Sequence, residues 1–113
     1  MPPRRCLPAL LLAAAALSLA PYALADATPE AKAAADALYV QAGKLGDEQK
    51  WAEAMAKLEA SLALDPAIGT LNRLAYAAEK LGLLATSWSR YHDMEALARR
   101  NNDKRAADAA ANA

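Results

Sequence analysis

The sequence contains no phenylalanine, one cysteine, one histidine and four glycines among its 113 residues. Cys6 has no partner for an internal disulfide. His92 alone gives little scope for a histidine-based metal cluster or a Ser/His/Asp set. The spacing of Gly43 and Gly46 is typical of a helix end and not of a phosphate-binding loop. We therefore expect no cofactor and no metal, and we predict that the chain is not an enzyme.

An excess of charge is also missing, since 13 basic residues balance 13 acidic ones. Nucleic-acid-binding domains carry a basic footprint, so we expect no nucleic-acid partner. The one basic cluster, Arg99-Arg100 with Lys104-Arg105, favours a helix C-terminus over a nucleic-acid or lipid site. The chain is rich instead in alanine and other hydrophobic residues, 56% in all. Alanine favours helix but buries little area, which predicts one small all-α domain with a modest core.

Residues 1–25 have the three parts of a secretory signal peptide. Arg4 and Arg5 precede an apolar run over 7–19, and Ala23-Leu24-Ala25 provides a small-x-small cleavage site. The alternative is a membrane anchor, but a spanning helix needs about 20 apolar residues and Pro21 interrupts the run. We expect cleavage after Ala25 and no membrane span in the mature chain. The alanine-rich signal suggests a bacterial protein that is periplasmic or secreted.

Four helices are predicted in the mature chain. Thr28 and Pro29 form a helix start, and this first helix ends near Gly46-Asp47 or a little beyond. Pro66 stops the second helix, and Gly82 ends the third. Apolar residues recur every three or four positions, which gives these faces: Ala31, Ala34, Leu38, Ala42 and Leu45; Trp51, Ala54, Met55, Leu58, Ser61 and Leu62; Leu71, Leu74, Ala75, Ala78 and Leu81; Leu84, Ser87, Trp88, Tyr91, Met94 and Leu97. Residues 103–113 form either an alanine-rich tail or a partial capping helix.

The spacing of these residues resembles the tetratricopeptide signature, W-x2-L-G-x2-Y, then A-x3-F, then P. The first unit matches with Leu38, Gln41, Ala42 and Leu45, then Ala54 and Leu58, then Pro66. The pattern returns 33 residues later with Leu71, Leu74, Ala75 and Ala78, then Ser87 and Tyr91. The resemblance implies two tetratricopeptide-like antiparallel helix pairs, a short α-solenoid, over residues 26–102. The alternative is an unrelated antiparallel helical bundle.

Residues 64–88 also resemble a group of exported tetratricopeptide-like proteins of myxobacteria. The elements of that group are S-x-x-L-D-P, G-T-L, E-K-x-G and A-S-A-W. Their counterparts here are Ser61 with Leu64-Asp65-Pro66, then Gly69-Thr70-Leu71, Glu79-Lys80-Leu81-Gly82 and Ala85-Thr86-Ser87-Trp88, the last agreeing at Ala85 and Trp88. Members are mostly of unknown function. The resemblance therefore implies a fold and a compartment more than an activity.

Two functions are consistent with these features. The first is a non-enzymatic scaffold that binds a protein or peptide in the bacterial envelope. The second is a structural or assembly subunit that completes its core by self-association or by docking to another subunit. Repeat arrays usually need at least three units, and only two are visible. We therefore expect either that residues 103–113 fold back as a thin cap or that the protein is a homo-oligomer.

The resemblance also implies a binding groove, since the first helix of each tetratricopeptide pair lines a concave surface. The predicted partner-binding residues are Asp36, Tyr39, Asn72, Tyr76 and Glu79, with Gly43 and Gly69 beside them. Tyrosine is a good contact residue because its large ring has little entropy to lose. The two carboxylates predict a neutral or slightly basic peptide or helix as the partner. The alternative is that Tyr39 and Tyr76 pack against neighbouring helices.

Overall fold

The computed structural model describes residues 26–113, and helices make up 81% of this part of the chain. The helices are α1 (Pro29–Asp47), α2 (Trp51–Leu64), α3 (Ile68–Lys80), α4 (Leu84–Arg100) and α5 (Lys104–Ala111). No strand occurs among the described residues, so the all-α prediction is confirmed. None of these five helices combines the length and apolarity that a membrane span requires. The predicted signal peptide, residues 1–25, lies outside the described residues.

Helix α1 begins as the sequence predicts but ends later than Gly46. The hydroxyl of Thr28 accepts a hydrogen bond from the Ala31 amide at 3.1 Å, and Pro29 occupies the first helical position. The predicted end near Gly46-Asp47 is confirmed, but the C-terminal cap is Glu48 and not Gly46. The helix continues to Asp47, and the left-handed conformation falls on Gln49, with φ of 59°. Gly46 has another use, because a Cβ there would lie 3.3 Å from the Trp51 ring.

The next two helix ends follow the predicted turn residues. Asp65 is extended, with φ of −151°, because Pro66 follows it. Gly82 has φ of +73°, and the Leu83 amide donates to the Ala78 carbonyl at 2.9 Å. This pattern is the Schellman motif, which needs a residue that tolerates positive φ. The tight turn brings the start of α4 directly back towards the end of α3.

Consecutive helices pack against each other along the chain, α1 on α2, α2 on α3, α3 on α4 and α4 on α5. Two core clusters hold them together. The first contains Ala42, Leu58 and Leu74, and the second contains Leu71, Met94, Leu97 and Ala110. Since α3 contributes a leucine to each cluster, it is the element that joins the two halves of the core.

Helices α1 and α2 are also tied by a buried polar contact. The Ser61 hydroxyl donates to the Ala35 carbonyl at 2.8 Å. Ala35 is buried and Ala34 is exposed, so the prediction that Ala34 lies on the apolar face is wrong. The contact with Ser61 requires the backbone of residue 35 to face α2, and this sets the rotation of the first turns of α1.

Helix α4 is less covered than its apolar stripe predicts. Ser87, Met94 and Leu97 are buried and Tyr91 is half-buried, as expected. The prediction that Leu84 and Trp88 are buried is wrong, since they are 69% and 67% exposed. The physical reason lies in the next helix, where only small side chains face α4.

Helix α5 forms from the alanine-rich segment after Arg100. The Asp103 carboxylate caps it by accepting a hydrogen bond from the Ala106 amide at 3.0 Å. Ala107 and Ala110 are buried, and Ala110 belongs to the second core cluster. The segment therefore folds back onto α4, but it covers α4 with methyl groups alone.

Candidate functional site

Two clefts lie at equivalent places in the chain, 33 residues apart. The first cleft lies between α1 and α3 and has a volume of about 400 Å³. The second cleft lies between the end of α3 and the end of α5 and has a volume of about 480 Å³. Their floors correspond position by position, with Trp51, Ala54 and Leu58 of α2 in the first and Leu84, Ser87 and Tyr91 of α4 in the second. The floors of the two clefts are thus related by the same 33-residue shift that relates the two halves of the sequence pattern.

Arg73 of α3 lies at one end of the first cleft, where it contacts Tyr39 of α1. The guanidinium carbon of Arg73 lies 4.1 Å from the centroid of the Tyr39 ring. Gly43 makes this approach possible, because a Cβ at that position would lie 2.9 Å from Arg73 Nη1. A cation over the face of a tyrosine is an attractive arrangement. The contact holds an arginine side chain across the groove between the two first helices.

Tyr76 forms the other end of the first cleft. Its ring meets the Trp51 ring edge to face, with centroids 5.6 Å apart and an interplanar angle of 80°. Lys80 Nζ lies 5.1 Å from the Tyr76 ring centroid. Tyr76 remains 45% exposed. The lining of the first cleft therefore includes an aromatic edge, one arginine and one aspartate, Asp47, and Lys80 lies beside it over Tyr76. We call Tyr39, Asn72, Arg73, Tyr76 and Lys80 the aromatic-cation strip.

The structure divides the five residues predicted to bind a partner. Asp36 and Tyr39 line one small cavity at the start of the strip. Asn72 and Tyr76 are both exposed on α3. Glu79 differs, because its carboxylate accepts a hydrogen bond from Ser87 Oγ at 3.3 Å and lines the second cleft. Its acidity therefore belongs to the second cleft.

Sequence reasoning missed three residues in or beside the first cleft, namely Trp51, Arg73 and Lys80. Lys80 follows Tyr76 by four positions, a spacing that places two side chains side by side on a helix, so this pair could have been found. Arg73 and Trp51 could not, because their partners lie on other helices. The apolar stripe of α2 predicts Trp51 in the core, and it is only half-buried against Tyr76.

The second cleft has a different character. Glu79 lies beside Tyr91, and burial together with the Glu79 charge raises the pKa of Tyr91 above its usual 10.0. Trp88 and His92 form an edge-on pair at the rim, with ring centroids 4.0 Å apart. From α5 and the residues after it, the wall receives only Ala110, Ala111 and Ala113. An exposed acidic residue, Glu79, thus lines a largely apolar cleft.

No cluster of potential metal ligands appears within residues 26–113. No set of three or more His, Cys, Asp or Glu side chains converges there. His92 is exposed. In the basic cluster, Arg99 pairs with Glu95 and Lys104 with Asp108, so ion pairs within each helix use part of its charge.

Comparison with known proteins finds no match: no protein-family model, no curated protein and no solved structure resembles this chain significantly. Any assignment of function therefore depends on the geometry of the two clefts.

Proposed function

We propose that this chain is a non-enzymatic, tetratricopeptide-like scaffold of the bacterial envelope that binds a protein or peptide along the aromatic-cation strip. The observation that carries the proposal is the stacking of Arg73 and Lys80 on the two tyrosine rings. Side chains held in this way lose little entropy when a partner binds. The two clefts related by the 33-residue period support the assignment to repeats, and the signal peptide predicted from the sequence supports export.

The strip also favours a partner chemistry that differs from the sequence-based expectation. Because Glu79 lines the second cleft, the predicted groove loses one of its two carboxylates, and Asp36 remains beside Tyr39. Arg73 lines the first cleft and Lys80 lies over Tyr76 beside it. Guanidinium groups bind carboxylates with two parallel hydrogen bonds. We therefore expect a peptide with an acidic side chain opposite Arg73, in place of a neutral or slightly basic one.

Capture from an envelope extract, with matched variants, tests the proposal. The test variant is Arg73→Gln/Tyr76→Ala, because Tyr39 packs against the first core cluster and its loss would disturb folding. The control is Leu64→Ser, which changes an exposed leucine on another helix. Wild type and control should retain the same partner, and the test variant should lose it while its circular dichroism stays unchanged. Full capture by a folded test variant would contradict the proposed site.

A second function, assembly with another subunit or copy, is favoured by a different observation. Leu81, Leu83, Leu84 and Trp88 are between 40% and 69% exposed and lie together around the α3–α4 turn. Exposed apolar residues that are contiguous mark interaction surfaces. Light scattering of the purified chain over a range of concentrations distinguishes the two forms of assembly. Self-association raises the mass of the purified chain alone, whereas docking to another subunit raises it only when that subunit is added.

A further inference from the structure

In the first cleft, the apolar side chains at the start of α2 are covered by the following helix. There, α3 lies over the start of α2 and places Tyr76 against Trp51. At the equivalent place above α4, α5 supplies alanines, and Leu84 and Trp88 remain exposed. Leu84 and Trp88 are four residues apart, so they share one face of α4. The second cleft therefore lacks a helix with large apolar side chains.

The charge of the second cleft indicates which charged side chain a covering helix should carry. Among residues 26–113, no lysine or arginine forms an ion pair with Glu79. The residues that line the cleft include two glutamates and no lysine or arginine. Arg99 already pairs with the second glutamate, Glu95. The charge that remains to be matched is thus the carboxylate of Glu79.

We propose that the second cleft binds an amphipathic helix of another protein, with leucine-type side chains on Leu84 and Trp88 and an arginine or lysine paired with Glu79. The inference rests on the assembly function proposed above and is independent of the aromatic-cation strip. A helix laid in an apolar groove is a recurring mode of recognition. The exposed leucines of the α3–α4 turn extend the contact beyond the cavity itself, which favours a helix over a small molecule.

Two designed peptides test this inference directly. Both are amphipathic helices with the same leucine stripe, and they differ only in one arginine or one glutamate beside it. The protein carries Trp51→Phe, so that Trp88 alone reports binding by fluorescence. The arginine peptide should shift Trp88 emission to the blue in a saturable way, and it should bind roughly tenfold more tightly than the glutamate peptide.

Charge reversal then identifies the paired residue. Glu79→Arg should weaken binding of the arginine peptide by roughly tenfold or more and strengthen binding of the glutamate peptide. The matched control is Glu53→Arg, an exposed glutamate on α2, which should change neither affinity. Leu84→Ala should weaken both peptides alike. Circular dichroism confirms that each variant is folded.

Three results would overturn the inference. Equal affinity for the two peptides in the wild-type protein would show that Glu79 does not select the partner. A blue shift of Trp88 with protein concentration alone, together with a rise in mass, would show that a second copy occupies the cleft. No change in Trp88 emission with either peptide would show that the cleft takes no such helix. None of these results bears on capture by the aromatic-cation strip, so the two proposals fail separately.

Discussion

The first and second clefts have corresponding floors and different walls. Above α2, the wall from α3 carries Arg73 and Tyr76, and Tyr76 packs on Trp51. Above α4, the wall from α5 carries alanine, and Trp88 is left at the rim. The helix that covers each floor therefore decides whether an apolar position becomes core or surface. A stripe in the sequence shows where apolar side chains lie and not whether anything covers them.

Substitutions at the equivalent positions Leu58 and Tyr91 should differ most in their effect on the free energy of unfolding. Leu58 is 2% exposed and packs with Ala42 and Leu74. Leu58→Asp buries an unpaired charge and should lower the free energy of unfolding by at least about 3 kcal/mol. Tyr91→Asp changes a half-buried residue and should cost roughly half as much. Thermal melts followed by circular dichroism measure both, and equal losses would contradict the assignment of Leu58 to a closed core.

Substitution of the two tryptophans should give the next largest difference in the free energy of unfolding. Trp51→Ala removes the contact with Tyr76 and should lower the free energy of unfolding by about 1–3 kcal/mol, below the cost at a fully buried site. Trp88→Ala should stay within about 0.5 kcal/mol, because most of the side chain is already in water. Urea denaturation measures both values. A larger loss for Trp88→Ala would mean that the second cleft is closed.

The two buried serines, Ser61 and Ser87, each donate a hydrogen bond between two helices, and substituting them compares the strength of these two bonds. Ser61 donates to a backbone carbonyl at 2.8 Å, whereas Ser87 donates to the partly exposed Glu79 at 3.3 Å. Ser61→Ala should therefore cost about 1 kcal/mol, and Ser87→Ala about half of that or less. Thermal melts of the two variants, measured side by side, check the order. A reversed order would show that Glu79 holds α4 more firmly than its exposure indicates.

The smallest effect is a pH dependence confined to the second cleft. Burial and the charge of Glu79 raise the pKa of Tyr91 above its usual 10.0, so the folded state favours the neutral phenol. This contribution to stability is complete below the unfolded pKa and is lost as pH rises through the higher folded pKa. Difference titration at the phenolate absorbance band, against Tyr91→Phe, should show late ionisation. Glu79→Gln should lower the pKa of Tyr91 only in part, because burial is the larger cause.

The helices and turns could be predicted from the sequence because their signals are local. Thr28, Pro66 and Gly82 act on the backbone within a few residues of themselves, and the structure confirms all three. Gly46 is misleading because a glycine inside a helix can serve packing, here for Trp51.

The candidate site was less predictable because it depends on contacts between helices. Tyr39 and Tyr76 can be found from their place beside the apolar stripe. The contact of Arg73 with Tyr39 joins residues 34 positions apart, and no local pattern reveals it. The exposure of Trp88 depends likewise on the size of side chains in α5. Sequence position alone places Glu79 in the first groove, because its helix lines both clefts.

Acrylamide quenching of single-tryptophan proteins tests the central claim most directly, namely that Trp88 is uncovered in the second cleft whereas Tyr76 covers Trp51 in the first. Trp51→Phe leaves Trp88 as the reporter, and Trp88→Phe leaves Trp51. We predict redder emission and a larger quenching constant when Trp88 is the reporter, because its side chain is 67% exposed while Tyr76 covers Trp51. Equal quenching, or stronger quenching of Trp51, would contradict the difference between the two clefts.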